Sequence, residues 1–228
     1  MATYDLEEQE QISELKTWWK MYGNTVTAVL LAASVGVAGW QAWNWYQRTQ
    51  AAEASVIYAA VQKGAMERDA KRVRDAAGEL TEKYPGTTYA VMAALTSAHM
   101  QFDAGDLKTA RAQLQWVTDK ARDKDLRDLG RLRLAHVLFD DKALDEALKL
   151  LGEEPVPAFA ARFGELKGDI LAMQGKQSEA KAAYRAALAK LEVAEKAAGS
   201  QGGRDSQYRD LLQVKLDDEP GKGGVEPE

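Results

Sequence analysis

A long uncharged segment near the start of the chain constrains its fold more than any other feature. No charged side chain occurs between Lys20 and Arg48, and the interior is almost wholly Val, Leu, Ala and Gly. A helix rises about 1.5 Å per residue, so Trp19 and Trp40 would lie roughly 31 Å apart, close to the ~30 Å hydrocarbon core of a bilayer. Aromatic residues suited to the headgroup level stand near both ends: Trp18, Trp19, Tyr22, Trp40, Trp43, Trp45 and Tyr46. The segment therefore predicts a transmembrane helix over residues 21–47.

Two other interpretations of this segment are a cleaved signal peptide and a buried core helix. A signal peptide has basic residues before its apolar run and a small-residue cleavage site after it. This chain has mainly acidic residues before the run and bulky rings after it. A core helix normally carries a polar stripe, and the central turns here have none. We expect a retained anchor, with residues 1–20 on the cytoplasmic side, although Lys16 and Lys20 against Arg48 give only a slight charge bias.

Composition removes several classes of function. The net charge is −5, which gives no basic surface for nucleic acid. The chain has no cysteine, so it has no disulfide, thiolate zinc site or cysteine nucleophile. No glycine loop for phosphate, Gly-x-Ser-x-Gly elbow or His-Glu-x-x-His helix occurs. We therefore predict a protein that is not an enzyme, with no catalytic residue, no cofactor and no metal.

Residues 48–196 are rich in helix formers and are interrupted at short intervals by turn residues, which predicts helical hairpins. Three rows of residues share one internal spacing and are offset by 37 and 33 residues, near the 34-residue period of tetratricopeptide repeats. The rows are Ala98, Gln101, Gly105, Ala110 and Leu114; Ala135, Leu138, Lys142, Ala147 and Leu151; Gly168, Leu171, Gly175, Ala180 and Tyr184. A first hairpin, roughly residues 51–84, fits this pattern poorly, as a terminal repeat can.

The predicted fold class is therefore all-α: one N-terminal transmembrane helix followed by a tetratricopeptide repeat-like α-solenoid of about four helical hairpins. The alternative is a different helical bundle, since alanine-rich helices can produce such rows by chance. Residues 197–205 are predicted as a flexible linker, residues 206–218 as a C-terminal capping helix, and residues 219–228 as a disordered tail.

Two histidines occupy the same position in successive repeats, and an acidic residue occupies it in the third. His99, His136 and Asp169 each follow the small residue of the first helix of a hairpin. Leucines precede the histidines by four residues, and phenylalanines follow them by three. These residues form the predicted partner-binding groove, which suits a peptide segment: Leu95, His99, Phe102, Leu132, His136, Phe139 and Asp169. The alternative is that the phenylalanines pack between hairpins and the histidines lie at the edge of the core.

Small residues recur at about every fourth position in the predicted membrane helix. Ala28, Ala32 and Gly36 have this spacing, and Gly39 is close by. Such spacing allows a neighbouring helix to approach closely, so these four residues are a candidate membrane-helix contact. A second copy of this chain is one such neighbour.

Several segments together give the chain a family likeness. They are KTWWKMY at Lys16–Tyr22, the membrane helix ending in Gly39-Trp40, the degenerate hairpins including LKGDILAMQGKQSEAKAAYRAAL at Leu166–Leu188, and LLQVKLDD at Leu211–Asp218. In this order they resemble the YfgM-type ancillary subunits of the SecYEG translocon over nearly the whole chain. The acidic, glycine-rich end of the chain departs from the shorter form of that family.

The resemblance implies a location and partners that the charges do not supply. It implies a single-pass protein of the bacterial inner membrane, with a cytoplasmic N-terminus and the repeat domain in the periplasm. The implied partners are the SecYEG translocon, a PpiD-like membrane-anchored chaperone of the prolyl-isomerase class, and unfolded or newly exported proteins. The expected role is to assist the hand-over of exported proteins to periplasmic chaperones.

Two rival functions fit the same sequence features. One is an envelope scaffold that organises cell-division or outer-membrane assembly machinery. The other is a membrane-anchored hydrolase, which the sequence disfavours because no nucleophile is paired with a base.

Overall fold

The structure, a computed structural model, describes the backbone of residues 4–198 and 204–217, and every element in these two ranges is an α-helix. The helices are α1 (Tyr4–Met66), α2 (Ala70–Lys83), α3 (Thr88–Asp103), α4 (Leu107–Lys120), α5 (Lys124–Asp140), α6 (Leu144–Leu150), α7 (Pro157–Met173), α8 (Gln177–Ala198) and α9 (Arg204–Asp217). The predicted tail, residues 219–228, lies outside the described residues, as do residues 199–203 of the predicted linker. The all-helical fold class predicted from the sequence is confirmed.

The chain divides into two compact units, Met1–Ala52 and Glu53–Glu228. In the first unit, α1 contains the one stretch of the described chain that is long and apolar enough to cross a membrane, and none of that stretch is buried inside the protein. Leu30, Val35 and Trp40 are each at least 60% exposed. A core helix of a soluble protein would be mostly buried, so the exposure of this stretch argues against that interpretation of the segment.

The described residues of the second unit form a series of four antiparallel hairpins and a final helix. The end of α1 pairs with α2, α3 with α4, α5 with α6, and α7 with α8, while α9 packs against α8. Consecutive hairpins also pack against each other, through α2 with α3, α4 with α5, and α5 with α7. Three contiguous clusters of buried apolar side chains run through this stack. The indole of Trp116 packs against both of the first two clusters and so joins them.

Within each of the four hairpins, the two helices are joined by the same type of turn. One residue in each turn has a left-handed backbone, with φ between 54° and 79°: Arg68, Gly105, Lys142 and Gly175. The next residue donates its N–H to a carbonyl five residues earlier, the hydrogen bond that ends a helix in a Schellman motif; the four distances are 2.8–2.9 Å. The first hairpin therefore shares the turn geometry of the others, although its residues match the repeat pattern poorly.

Small residues let the two helices of a hairpin approach closely. In the last hairpin the ring of Tyr184 on α8 lies over Gly168 on α7, and a Cβ added to this glycine would lie 2.6 Å from the Cδ1 atom of the ring. In the two preceding hairpins alanines occupy the equivalent positions and are nearly or fully buried: Ala98, Ala110, Ala135 and Ala147. Together with Gly168 and Ala180 of the last hairpin, these are the small residues of the three repeat rows.

A buried ion pair fixes the chain between α6 and α7. Asp128 and Arg131, both on α5, are 4% and 7% exposed, and Nη1 of Arg131 donates to the carboxylate of Asp128 over 2.9 Å. The same guanidinium donates to the carbonyls of Leu150 and Glu153, and Asp128 accepts from the N–H of Val156. Both buried charges therefore have the hydrogen-bond partners that burial of a charge requires. The same bonds hold the α6–α7 connection against α5.

The close contact at Gly168 gives a matched pair of glycine substitutions. We expect Gly168→Ala to lower the free energy of unfolding by about 1–3 kcal/mol, because the added methyl group displaces the ring of Tyr184. Gly78→Ala in the middle of α2 meets no atom within 4 Å, so it should be neutral or should stabilise by about 0.5–1 kcal/mol through helix propensity. Urea titration of the helical circular dichroism of the full chain in detergent measures both. Equal stability of the two variants would contradict this packing.

Candidate functional site

A mainly apolar depression lies between α3 and α5 in the second unit. Its volume is about 310 Å³. The side chains around it come from α3, α4 and α5: Ala98, His99, Phe102, Leu114, Arg133, His136 and Val137. Phe102 is 36% exposed, whereas Leu114 is almost fully buried. The depression is therefore large enough to receive an apolar side chain and has polar groups beside it.

The structure brings together only three of the seven residues of the predicted groove, namely His99, Phe102 and His136. Leu95 and Leu132 are each 6% exposed and belong to the hydrophobic core. Their aliphatic side chains pack between helices and do not line the depression. The groove predicted from the sequence therefore includes two leucines that belong to the core.

Phe139 occupies the same repeat position as Phe102 but has a different environment. Its ring is partly buried against the core cluster, and Nζ of Lys142 lies 5.8 Å from the ring centroid. Phe139 is not among the residues that line the depression. The alternative interpretation from the sequence, that the phenylalanines pack between hairpins, therefore describes Phe139 better than Phe102.

Asp169 is engaged in a hydrogen-bonded cluster that joins α7, α8 and α9. It accepts a hydrogen bond from the hydroxyl of Tyr184 and one on each carboxylate oxygen from Nζ of Lys215, all at 2.8 Å. Lys215 also donates to Glu165 over 2.8 Å. Burial lowers the pKa of Lys215, but these hydrogen bonds to Asp169 and Glu165 outweigh it, so the pKa is raised. Asp169 thus helps hold α9 in place rather than lining the depression.

The two histidines of the depression have different surroundings. Burial lowers the pKa of His136 below its usual value, against the opposing effect of Asp140, Glu165 and Asp169, so the neutral imidazole predominates at pH 7. His99 lies near an acidic group, since its Nδ1 is 3.6 Å from Oδ2 of Asp103. Among the residues that the structure describes, no three His, Asp or Glu side chains are arranged to hold a metal ion.

The sequence interpretation missed Arg133, which lies beside His136 in the depression. Burial lowers the pKa of its guanidinium. A signal was available, because residues three apart on a helix share a face and Arg133 precedes His136 by three. The depression that Arg133 lines is formed together with neighbouring helices, and the sequence does not show which helices these are.

The candidate membrane-helix contact lies on α1 in the first unit. Ala28, Ala32, Gly36 and Gly39 fall within one face of this helix, and a Cβ added to either glycine would meet nothing within 4 Å. The surface there is flat enough for a second helix to lie against it. Contact with another helix at this face stays a prediction.

Comparisons with known proteins match almost the full length of the chain. A family model described as a tetratricopeptide repeat-like domain matches residues 16–219. A protein of Neisseria gonorrhoeae named ancillary SecYEG translocon subunit is 33% identical over 214 residues, covering 93% of this chain and 97% of the relative. Proteins of the same name from Haemophilus influenzae and Escherichia coli are 30% and 29% identical, covering 81% and 79% of this chain and 90% and 87% of the relatives. No solved structure matches the chain.

The contact between Lys215 and its two carboxylates makes α9 sensitive to substitution and to alkaline pH. The raised pKa means that the contribution of Lys215 to stability is complete below its unfolded value of about 10.4 and is lost as the pH rises through the folded value. We expect Lys215→Gln to release α9 at pH 7, because two partly buried carboxylates lose their counter-charge.

The chain has no cysteine, so a spin-label pair at Gln213→Cys on α9 and Glu192→Cys on α8 reports this contact without interference. The distance distribution should broaden in Lys215→Gln at pH 7, and in the otherwise unchanged protein only at strongly alkaline pH. Lys190→Gln, which removes an exposed pair with Glu154, is the control and should leave the distribution narrow. An unchanged distribution in Lys215→Gln would contradict the assigned role of this cluster.

Proposed function

Because the chain belongs to the tetratricopeptide repeat-like family that includes ancillary SecYEG translocon subunits, we propose that it is a non-catalytic, single-pass inner-membrane protein associated with the SecYEG translocon. The observation that carries this proposal is the extent of the match. The Neisseria gonorrhoeae relative aligns over 97% of its length, and the family model spans both the apolar part of α1 and the hairpins. The likeness therefore covers the membrane segment and the repeat domain together.

We further propose that the N-terminal segment is cytoplasmic and that the hairpin domain lies in the periplasm. The slight excess of lysine before the apolar segment supports this orientation. A domain on that side would meet polypeptides as they leave the translocon. The membrane helix would raise the local concentration of the domain there, so that no tight soluble interface is needed.

The depression between α3 and α5 is the proposed contact site for exported proteins. Its apolar lining and the exposed edge of Phe102 suit an apolar side chain of an unfolded or newly exported segment. Weak binding at such a site suits transfer, because a bound segment must be released to the next protein. The proposed recipient is a PpiD-like chaperone of the prolyl-isomerase class.

Site-specific photo-crosslinking from the membrane helix tests association with the translocon. A photoreactive residue at Ala32 or Gly36 should capture translocon subunits in intact cells, because the small-residue face admits a neighbouring helix. Leu30 and Val37 lie on the opposite face of the helix, are about 60% exposed, and serve as matched control positions with weaker capture.

Crosslinks from all four positions to cell-division or outer-membrane assembly proteins, without translocon subunits, would contradict the proposal and favour an envelope scaffold. Crosslinks only to a second copy of this chain would identify the small-residue face as a homo-oligomer contact and would contradict its assignment to the translocon.

A further inference from the structure

Arg133 is an exposed cation in the lining of the depression and has no counter-charge in the described part of the chain. Its guanidinium makes no hydrogen bond or ion pair with any described residue, and burial is the sole cause of its lowered pKa. This differs from Arg131, two residues earlier, whose guanidinium is bonded to Asp128 and to two carbonyls. An unpaired cation at the edge of an apolar depression favours a ligand that combines an anionic group with an apolar one.

The opposite end of the depression has the opposite charge. Asp103 lies beside His99, and Asp140 is close enough to affect the pKa of His136. Both aspartates end their helices, α3 and α5, where the helix dipole adds negative potential. Along α5, Arg133 and Asp140 are seven residues apart, which corresponds to roughly 10 Å of helix. The depression is therefore apolar in the middle, with Arg133 in its lining at one end and the two aspartates beyond its lining at the other.

We propose that the depression selects a partner segment in which an apolar side chain has an acidic neighbour on one side, with the apolar group in the cavity and the carboxylate on Arg133. This inference rests on the proposed function, which makes the depression a contact site for other polypeptides, and adds the chemistry of the segment that is preferred. The carboxylate must lie on the Arg133 side, because Asp103 and Asp140 repel it at the other end.

Two properties of the site support an acidic side chain of a partner as the ligand. The lining beyond Arg133 is mainly apolar, so a carboxylate can form a charge-assisted hydrogen bond with the guanidinium while its apolar neighbour enters the cavity. The neutral form of His136 predominates at pH 7 and supplies no competing positive charge. The preference for an acidic segment is therefore assigned to one side chain.

Peptide binding to the full chain in detergent micelles tests the assignment. Two fluorescein-labelled peptides would differ only in Glu or Gln beside a leucine, within an otherwise uncharged glycine-serine sequence. The unmodified protein should bind the Glu peptide about three- to fivefold more tightly at low salt, as expected for one exposed ion pair. Fluorescence anisotropy gives both dissociation constants.

Three variants separate the possible results. Arg133→Gln should abolish the preference for the Glu peptide, whereas Arg185→Gln, which removes an exposed arginine of α8, should retain it. Phe102→Ala should weaken binding of both peptides, because it removes an apolar wall of the cavity. Added salt should reduce the preference in the unmodified protein.

The preference is overturned if the two peptides bind equally, or if the difference survives in Arg133→Gln. Equal binding that Phe102→Ala abolishes would overturn the charge preference and leave the proposed contact site standing. Absence of binding by either peptide would overturn both. Binding that appears only after residues 219–228 are removed would make the chain's own acidic tail the occupant, and would overturn the assignment to a partner.

Discussion

The apolar surface of α1 is the constraint on which the other features depend. Its side chains between the two aromatic groups are exposed. Leaving so much apolar surface in water is unfavourable by about 25 cal/mol per Å², whereas a bilayer removes it from water without any protein partner. Placing this segment in lipid satisfies the constraint and makes the hairpin domain a membrane-bound one.

The hairpin domain repeats one mode of helix packing. Each hairpin turns at a left-handed residue, and the last three bring a small residue of one helix against the next. Gly168 under the ring of Tyr184 is the tightest version, and Asp169 beside it bonds both Tyr184 and Lys215. The depression between α3 and α5 lies in the earlier repeats. There the repeat position of Asp169 is occupied by His99 and His136, whereas Asp169 itself is hydrogen-bonded to Lys215 of α9.

Some of this could be predicted from the sequence because it depends on local spacing. Gly105 and Gly175 mark left-handed turns directly, since glycine adopts that conformation without a Cβ penalty. Arg68 and Lys142 adopt the same backbone conformation, but nothing in their chemistry indicates it. The first hairpin therefore matched the pattern poorly in sequence and closely in structure.

The site was harder to predict because spacing along one helix does not show which neighbour covers a side chain. Leu95 and His99 are one turn apart, yet Leu95 is buried in the core and His99 is exposed at the depression. Arg131 and Arg133 are equally basic, but only the structure shows that Arg131 has Asp128 and that Arg133 lacks a counter-charge among the described residues. The sequence shows which residues are basic or apolar, but it does not show which side chains they contact.

Retention of the apolar segment in the membrane-bound protein is the most direct test of this account. Membranes from cells that produce the chain would be washed with alkaline carbonate, and the pelleted protein would be analysed by mass spectrometry for peptides from residues 1–47. We expect the protein in the pellet to contain these residues, because the apolar helix remains in the bilayer. Release of the protein into the carbonate wash, or a mature chain that begins after residue 47, would contradict the account.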